Sequence, residues 1–223
     1  MVDFGAGAAR GRPADRAADV DLIADRCLIL IQMSTGVGLS VPFGERERLA
    51  GLRPRMARLD PRSMSFGEGD SNPPTAVRRL DARMRELRVK PELEVCDTGY
   101  LEACLRLAAD RLLAEPLQFS IVPGVHGEMA ATPENLVTVA RRLPPGAIWQ
   151  VIAIGRANLS LTAIGLALGG NARASMKDTL HLRKGELTPG NRPLVERGVM
   201  LPRDPDLPVA GVAEAERDLG IAS

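Results

Sequence analysis

Short apolar runs that break into polar or glycine-bearing loops recur along the chain, and segments of helical spacing lie between them. Leu28 to Met33 (LILIQM) ends in Ser34, Thr35 and Gly36, the pattern of a buried strand running out into a loop. The same pattern predicts strands over Arg58 to Gly67, Glu92 to Asp97, Leu117 to Gly124, Ile148 to Gly155 and Ala172 to Met176. Apolar positions at helical spacing predict helices over Pro73 to Leu87, Gly99 to Leu113, Pro133 to Leu143, Leu159 to Leu168 and Pro193 to Leu201. Thr132 before Pro133, with Glu134 and Asn135 following, is a cap with proline at the first helical position. Strands alternating with helices predict a parallel sheet with right-handed crossovers. A doubly wound sheet and a TIM-type (β/α)8 barrel both satisfy that order. No glycine-rich phosphate fingerprint opens a helix, and polar residues gather where strands end, which favours the barrel.

Those strand ends hold Ser34 and Thr35, Ser63 and Ser65, Glu94 and Asp97, His126, Arg156, and Lys177 with Asp178. In a barrel they converge on one mouth, where chemistry sits. For any one of them the plainer explanation is a polar residue marking where a strand reaches water, and several sit beside glycine in tight loops.

Composition narrows the function classes. The 223 residues are 45% hydrophobic, which suits one domain over the whole chain. Lysine and arginine total 29 against 28 acidic residues, so no broad field attracts polyanions or a membrane surface. With aromatics at 3%, stacking platforms for bases are few, and nucleic acid is not an expected partner. Cys27, Cys96 and Cys104 form no CxxC pair and are expected to be reduced core thiols. No leader-like apolar segment opens the chain, and no apolar run approaches the roughly 18 residues of a membrane span, so a cytoplasmic protein is expected.

Four stretches in order, PELEVCDTGYL (Pro91 to Leu101), ATPEN with Gly124 and Gly127 upstream, WQVIAIGR (Trp149 to Arg156) and ALGGNARASMKD (Ala167 to Asp178), resemble the β-keto acid cleavage enzymes. The resemblance runs from about Gly11 to Ala222. It implies a (β/α)8 barrel, commonly a homo-oligomer, that exchanges acyl groups between a β-keto acid and acetyl-CoA to give acetoacetate and a new CoA thioester. It also implies a zinc ion acting as a Lewis acid on the developing enolate and oxyanion. By the same resemblance Arg173 falls on an active-site arginine, Asp178 on an acidic residue after a metal-binding glutamate, and Glu94, or Glu92 beside it, on a substrate-contacting glutamate. Ser34 and Ser63 fall on hydroxyl residues that touch substrate, and Arg156 is a further substrate-binding candidate. Spaced by two on one strand, Glu92 and Glu94 face the same side. Arg173 also reads as half of a buried ion pair with Glu94 or Asp178.

The sequence departs from that family in its metal ligands. The two histidines of an HxH motif are missing, for the histidines here are His126 and His181 and neither lies in one. The glutamate ligand's place is taken by Lys177, whose ammonium has donors and no lone pair, so zinc is not expected to be bound. Lys177 is expected either to neutralise Glu94 and Asp178 or to be a solvated loop residue. His126 is more plausibly a locally bonded residue than a base, and His181 a peripheral one. Only ten residues precede the resembling segment, which leaves about six of the eight strands of such a barrel. The strands at Leu28 to Met33 and Ala172 to Met176 are then expected as open edges. Another chain covers that gap, or the fragment is marginal, or the reading frame starts late. Two functions follow: a C–C bond-cleaving acyl transferase, or a catalytically impaired relative that keeps only structural or subunit contacts.

Overall fold

The structure, a computed structural model, describes residues 2–4, 13–36, 43–62, 72–201 and 209–221. In chain order the elements are β1 (Val2–Phe4), α1 (Pro13–Ala24), β2 (Ile31–Met33), α2 (Phe43–Ala50), β3 (Met56–Leu59), α3 (Pro74–Glu86), β4 (Lys90–Val95) and α4 (Thr98–Ala109). There follow β5 (Gln118–Ile121), α5 (Pro133–Ala140), β6 (Ile148–Val151), a 3-10 turn over Gly155–Ala157, α6 (Asn158–Ala167), β7 (Asn171–Ala172), a hairpin of β8 (His181–Arg183) and β9 (Glu186–Leu187), α7 (Asn191–Met200) and α8 (Val212–Asp218). This is an α/β fold. Two compact units are present, the first Met1–Glu94, Glu102–Gln118 and Val212–Ser223, the second Val95–Leu101 and Phe119–Gly211.

In the first unit β1, β2, β3 and β4 pair in parallel with their chain neighbours. Register places Gln32 beside Met56 and Met56 beside Lys90, with Arg58 beside Glu92 one pleat higher. Because side chains alternate across a strand, these residues share one face with Asp60 and Glu94, and Met33, Ala57, Leu59 and Leu93 share the other. The second face is the apolar core against the helices. Met33 and Leu49 are fully buried there, with Val20 of α1 and Leu52 packed on them. The first face is polar yet buried: Gln32, Arg58, Asp60, Glu92 and Glu94 each expose 8% or less. A strand buried on both faces with one face charged is the layout of a barrel interior.

Lys90 lies at the start of β4 on the polar face and donates from Nζ to the carbonyls of Ala114 (3.1 Å) and Pro116 (2.5 Å). Burial pushes its ammonium down from 10.5 to about 8, against the opposing pull of the Glu115 charge. Unfolding returns the amine to its ordinary value, so between pH 8 and 10.5 the unfolded chain holds more protons. Lys90 therefore opposes folding below pH 8, and that opposition fades as pH rises through this window. The stability of the wild type relative to Lys90→Met is expected to increase between pH 8 and 10.5, as urea unfolding at the two ends of the window will read. A flat difference contradicts the assignment.

In the second unit β5, β6 and β7 follow in order, and β6 pairs in parallel with β7. Thr132 caps α5 as the sequence predicts: its Oγ1 accepts from the Asn135 N–H at 3.3 Å. The α6 helix packs on β6, and a Cβ added at Gly165 would stand 2.7 Å from Val151 Cγ1. At Gly170 the added Cβ would lie 2.6 Å from the Trp149 ring. Gly170→Ala is expected to cost about 1–3 kcal/mol through overpacking, read as a lowered urea midpoint. An unchanged midpoint would show that the ring has room.

Several predicted boundaries move. The strand expected over Arg58 to Gly67 is β3, Met56–Leu59, and it stops where Asp60 leads into Pro61, which has no N–H for the ladder. Its remainder from Ser63 onward lies outside the described residues. The strand expected over Ala172 to Met176 pairs only at Asn171–Ala172, with one more bond from Arg173 N to Val151 O. Beyond it Ser175 turns the chain, accepting from the N–H groups of Asp178 and Thr179. Leu28 to Met33 is not an edge, because β1 pairs with β2 on the side away from β3. Cys27 is exposed at the end of α1 instead of buried, whereas Cys96 and Cys104 are buried free thiols. Burial pushes the Cys104 thiol up, and the charge of Asp60 adds to the effect.

Candidate functional site

The polar face of the first unit is held by one guanidinium. Arg58 reaches from β3 toward the strand ends, where its Nη2 lies 2.6 Å from Asp60 Oδ1 and 3.0 Å from Glu94 Oε2. Its Nε adds a 2.7 Å bond to the same Asp60 oxygen. The side chains of Arg58, Asp60 and Glu94 expose 10%, 2% and 7%, so the triad is shielded from water and from salt. The path of the guanidinium depends on Gly36, where an added Cβ would meet Arg58 Nη1 at 3.1 Å. Thr35 fixes the backbone by donating from Oγ1 to the Arg58 carbonyl at 2.7 Å. One pleat lower, Glu92 is fully buried and accepts from Gln32 Nε2. Ser34, expected to touch substrate, is 2% exposed, and its Oγ has no hydrogen-bond partner.

In the second unit the loop after β7 builds a second guanidinium–carboxylate pair. Arg173 donates from Nε to Asp178 Oδ2 at 3.1 Å and from Nη2 to Oδ1 at 3.0 Å, a two-pronged contact, and Ser175 Oγ donates to Oδ2 at 3.0 Å. The side chains of Arg173 and Asp178 expose 9% and 1%. The Asp178 backbone is tied down as well, since Gly155 N–H donates to its carbonyl at 2.8 Å. A carboxylate has about four acceptor positions, and these three bonds leave one open on Oδ1. Asp178 is thus a buried, fixed carboxylate with one acceptor position to spare.

Of the two partners expected for an ion pair with Arg173, Glu94 and Asp178, the structure pairs it with Asp178, and Glu94 is held by Arg58. Lys177 is exposed, as are His126, His181 and Arg156, the last on the 3-10 turn. Asp97 is a helix cap, accepting from the Tyr100 N–H at 3.0 Å. Ser63 lies outside the described residues. Sequence reasoning missed Gln32, Arg58, Asp60 and Ser175 as site residues. For the first three the signal was there: polar residues at alternate positions of short apolar strands, so that β2, β3 and β4 each carry charge or amide on one face.

The residues described do not fit the zinc that the resemblance implies. Among them no group of three His, Cys, Asp or Glu could hold a metal ion. Asp60, Glu94 and Asp178 each face a guanidinium cation, which repels a dication, and Lys177 stands where a glutamate ligand is implied. Zinc prefers imidazole and thiolate in its ligand set; no histidine takes part in the contacts of the Arg58 and Arg173 clusters, and burial pushes the Cys104 thiol near Asp60 up, away from the thiolate a metal needs.

Parallel strands in chain order alternating with helices define an α/β protein, and the profile of the beta-keto acid cleavage enzyme family matches residues 3–221. The chain belongs to that family. It is 34% identical over 207 residues to the 3-keto-5-aminohexanoate cleavage enzyme of Acetoanaerobium sticklandii, covering 91% of this chain and 76% of that one. The enzyme of that name from Fusobacterium nucleatum is 31% identical, with 91% and 75% covered. The 3-oxoadipate:acetyl-CoA acetyltransferase of Cupriavidus necator is 35% identical over 199 residues, with 87% and 70% covered. Among the described residues no helix is long and apolar enough to cross a membrane.

Proposed function

We propose that the chain, as one (β/α)8-type barrel domain, exchanges acyl groups between a β-keto acid and acetyl-CoA without a zinc ion. The C2–C3 bond of the keto acid breaks, C2 joins the acetyl carbonyl to give acetoacetate, and the released acyl group takes the CoA sulfur. The observation that carries this reading is the buried, two-pronged Arg173–Asp178 contact with one acceptor position open on Asp178 Oδ1. Asp178 takes the C2 proton, which two flanking carbonyl carbons make acidic. Arg173 fixes the carboxylate in place. The names of the relatives support the substrate pair, since they specify β-keto acids and acetyl-CoA.

A second reading is a binding-only relative with impaired turnover, and Lys177 at the implied ligand position favours it. One assay separates them. Purified protein with acetyl-CoA and a panel of β-keto acids is expected to form acetoacetate and the matching acyl-CoA in equal amounts, followed by mass spectrometry. Substrate binding with no acyl-CoA formed establishes the second reading.

A further inference from the structure

The strand ends of the second unit are tied to one another through the backbone. Ile154 N–H donates to the Pro123 carbonyl at 3.0 Å, and Gly155 N–H donates to the Asp178 carbonyl at 2.8 Å. Gly155 makes its turn at a φ of +74°, in the left-handed region that favours glycine. Arg156 follows Gly155 and Lys177 precedes Asp178, so two exposed cations each stand one residue from an end of that 2.8 Å bond. Lys177 is anchored further by Ser175, whose Oγ accepts from the Lys177 N–H at 3.1 Å and donates to Asp178 Oδ2 at 3.0 Å. Arg156 makes no hydrogen bond or ion pair among the described residues.

A single exposed lysine is ordinarily solvated and carries no such meaning. Here a second cation stands on neighbouring backbone, and one serine ties the lysine to the buried carboxylate. Like charges so placed repel, and an anion received between them turns the repulsion into charge-assisted hydrogen bonds. An ammonium where the resemblance implies a glutamate ligand also reverses what the position can receive, from a cation to an anion.

Which anion it is follows from the connectivity of the two substrates. In a β-keto acid the C1 carboxylate is bonded to C2, the carbon whose proton Asp178 takes, so it lies against Asp178 whenever C2 does. The phosphates of acetyl-CoA lie at the far end of its pantetheine arm. Removal of the C2 proton adds negative charge beside the carboxylate, and cations at that point offset it. Resting on the reading of the chain as a β-keto acid protein, we infer that Lys177, with Arg156 beside it, is a substrate-binding residue that holds the C1 carboxylate of the β-keto acid against Asp178.

Calorimetry on the full chain at pH 7 with 3-hydroxyhexanoate and its neutral amide, 3-hydroxyhexanamide, tests the anchor. Neither probe has the keto group, so neither is cleaved. The carboxylate is expected to bind about tenfold more tightly than the amide. Lys177→Met is expected to cut that preference to about threefold, Lys177→Met with Arg156→Met to abolish it, and Lys177→Arg to keep it. Both side chains are exposed, so these variants leave the fold intact. CoA, titrated alone, is expected to bind the wild type and the double variant within about twofold of each other. A wild type without the preference, a preference that survives the double variant, or a loss of CoA binding in its place overturns the anchor and leaves the β-keto acid reading standing. Wild-type protein that binds neither probe nor CoA overturns that reading and the anchor with it.

Discussion

Asp178→Asn lowers kcat/KM for acetoacetate formation by about a thousandfold, within the range of a lost general base. The substitution is nearly isosteric, but it strands the buried Arg173 cation, so the loss is read on protein that urea unfolding shows to be folded. What it removes is the negative charge and the basic lone pair on Oδ1, the one acceptor position that Arg173 and Ser175 leave open. Exchange of the C2 hydrogens of the β-keto acid with deuterium in D2O gives an independent readout of the same step. It should slow in parallel with turnover. Arg173→Lys is the companion variant. A lysine carries the charge but cannot reproduce the planar fork at 3.1 and 3.0 Å, so a smaller but distinct loss is expected. If Asp178→Asn exchanges deuterium as fast as the wild type, the base lies elsewhere.

Arg58→Met is expected to cost about 3–5 kcal/mol of stability. The loss does not come from packing, since methionine fills much of the same volume. It comes from stranding two carboxylates, Asp60 at 2% and Glu94 at 7% side-chain exposure, without the guanidinium that both contact. Urea unfolding gives the loss directly, and thermal unfolding should show a fall of roughly 10 °C for a chain of this size. A combined variant with Asp60→Asn and Glu94→Gln removes the stranded charge, and most of the stability is expected to return. If the combined variant is no better than the single one, the damage is steric and the triad does not act through charge.

How legible the fold was depended on how local its causes are. The strand at Glu92 to Asp97 and its following helix could be read because the apolar run, the cap at Asp97 and the helical spacing all lie within a dozen residues. The cap at Thr132 could be read for the same reason. In contrast α1 (Pro13–Ala24), α2 (Phe43–Ala50) and α8 (Val212–Asp218) have weak or mixed patterns, and α1 and α2 bury residues only by packing on other elements. Leu49 and Ala50 of α2 are buried, for example, although the segment reads as charged. β1 is three residues long, and its pairing with β2 depends on a partner almost thirty residues away.

The site divides along the same line. Arg173 with Asp178, five residues apart on one loop, could be paired from the sequence, and so could the shared face of Glu92 and Glu94. Arg58 with Glu94 spans three elements, and only the β3–β4 register brings them together. Arg58 was read as the start of a strand when it is the centre of the polar face. Lys177 shows the reverse: the change in a motif is plain in the sequence, but only the structure shows that side chain to be exposed, while the buried cations are arginines elsewhere.

In both clusters guanidinium cations face the carboxylates, and no imidazole takes part in their contacts. Plasma mass spectrometry of the protein, purified without chelator in zinc-supplemented medium, tests this most directly. The account predicts zinc at trace level in a preparation that binds β-keto acid; one zinc per chain, retained through gel filtration, would contradict it.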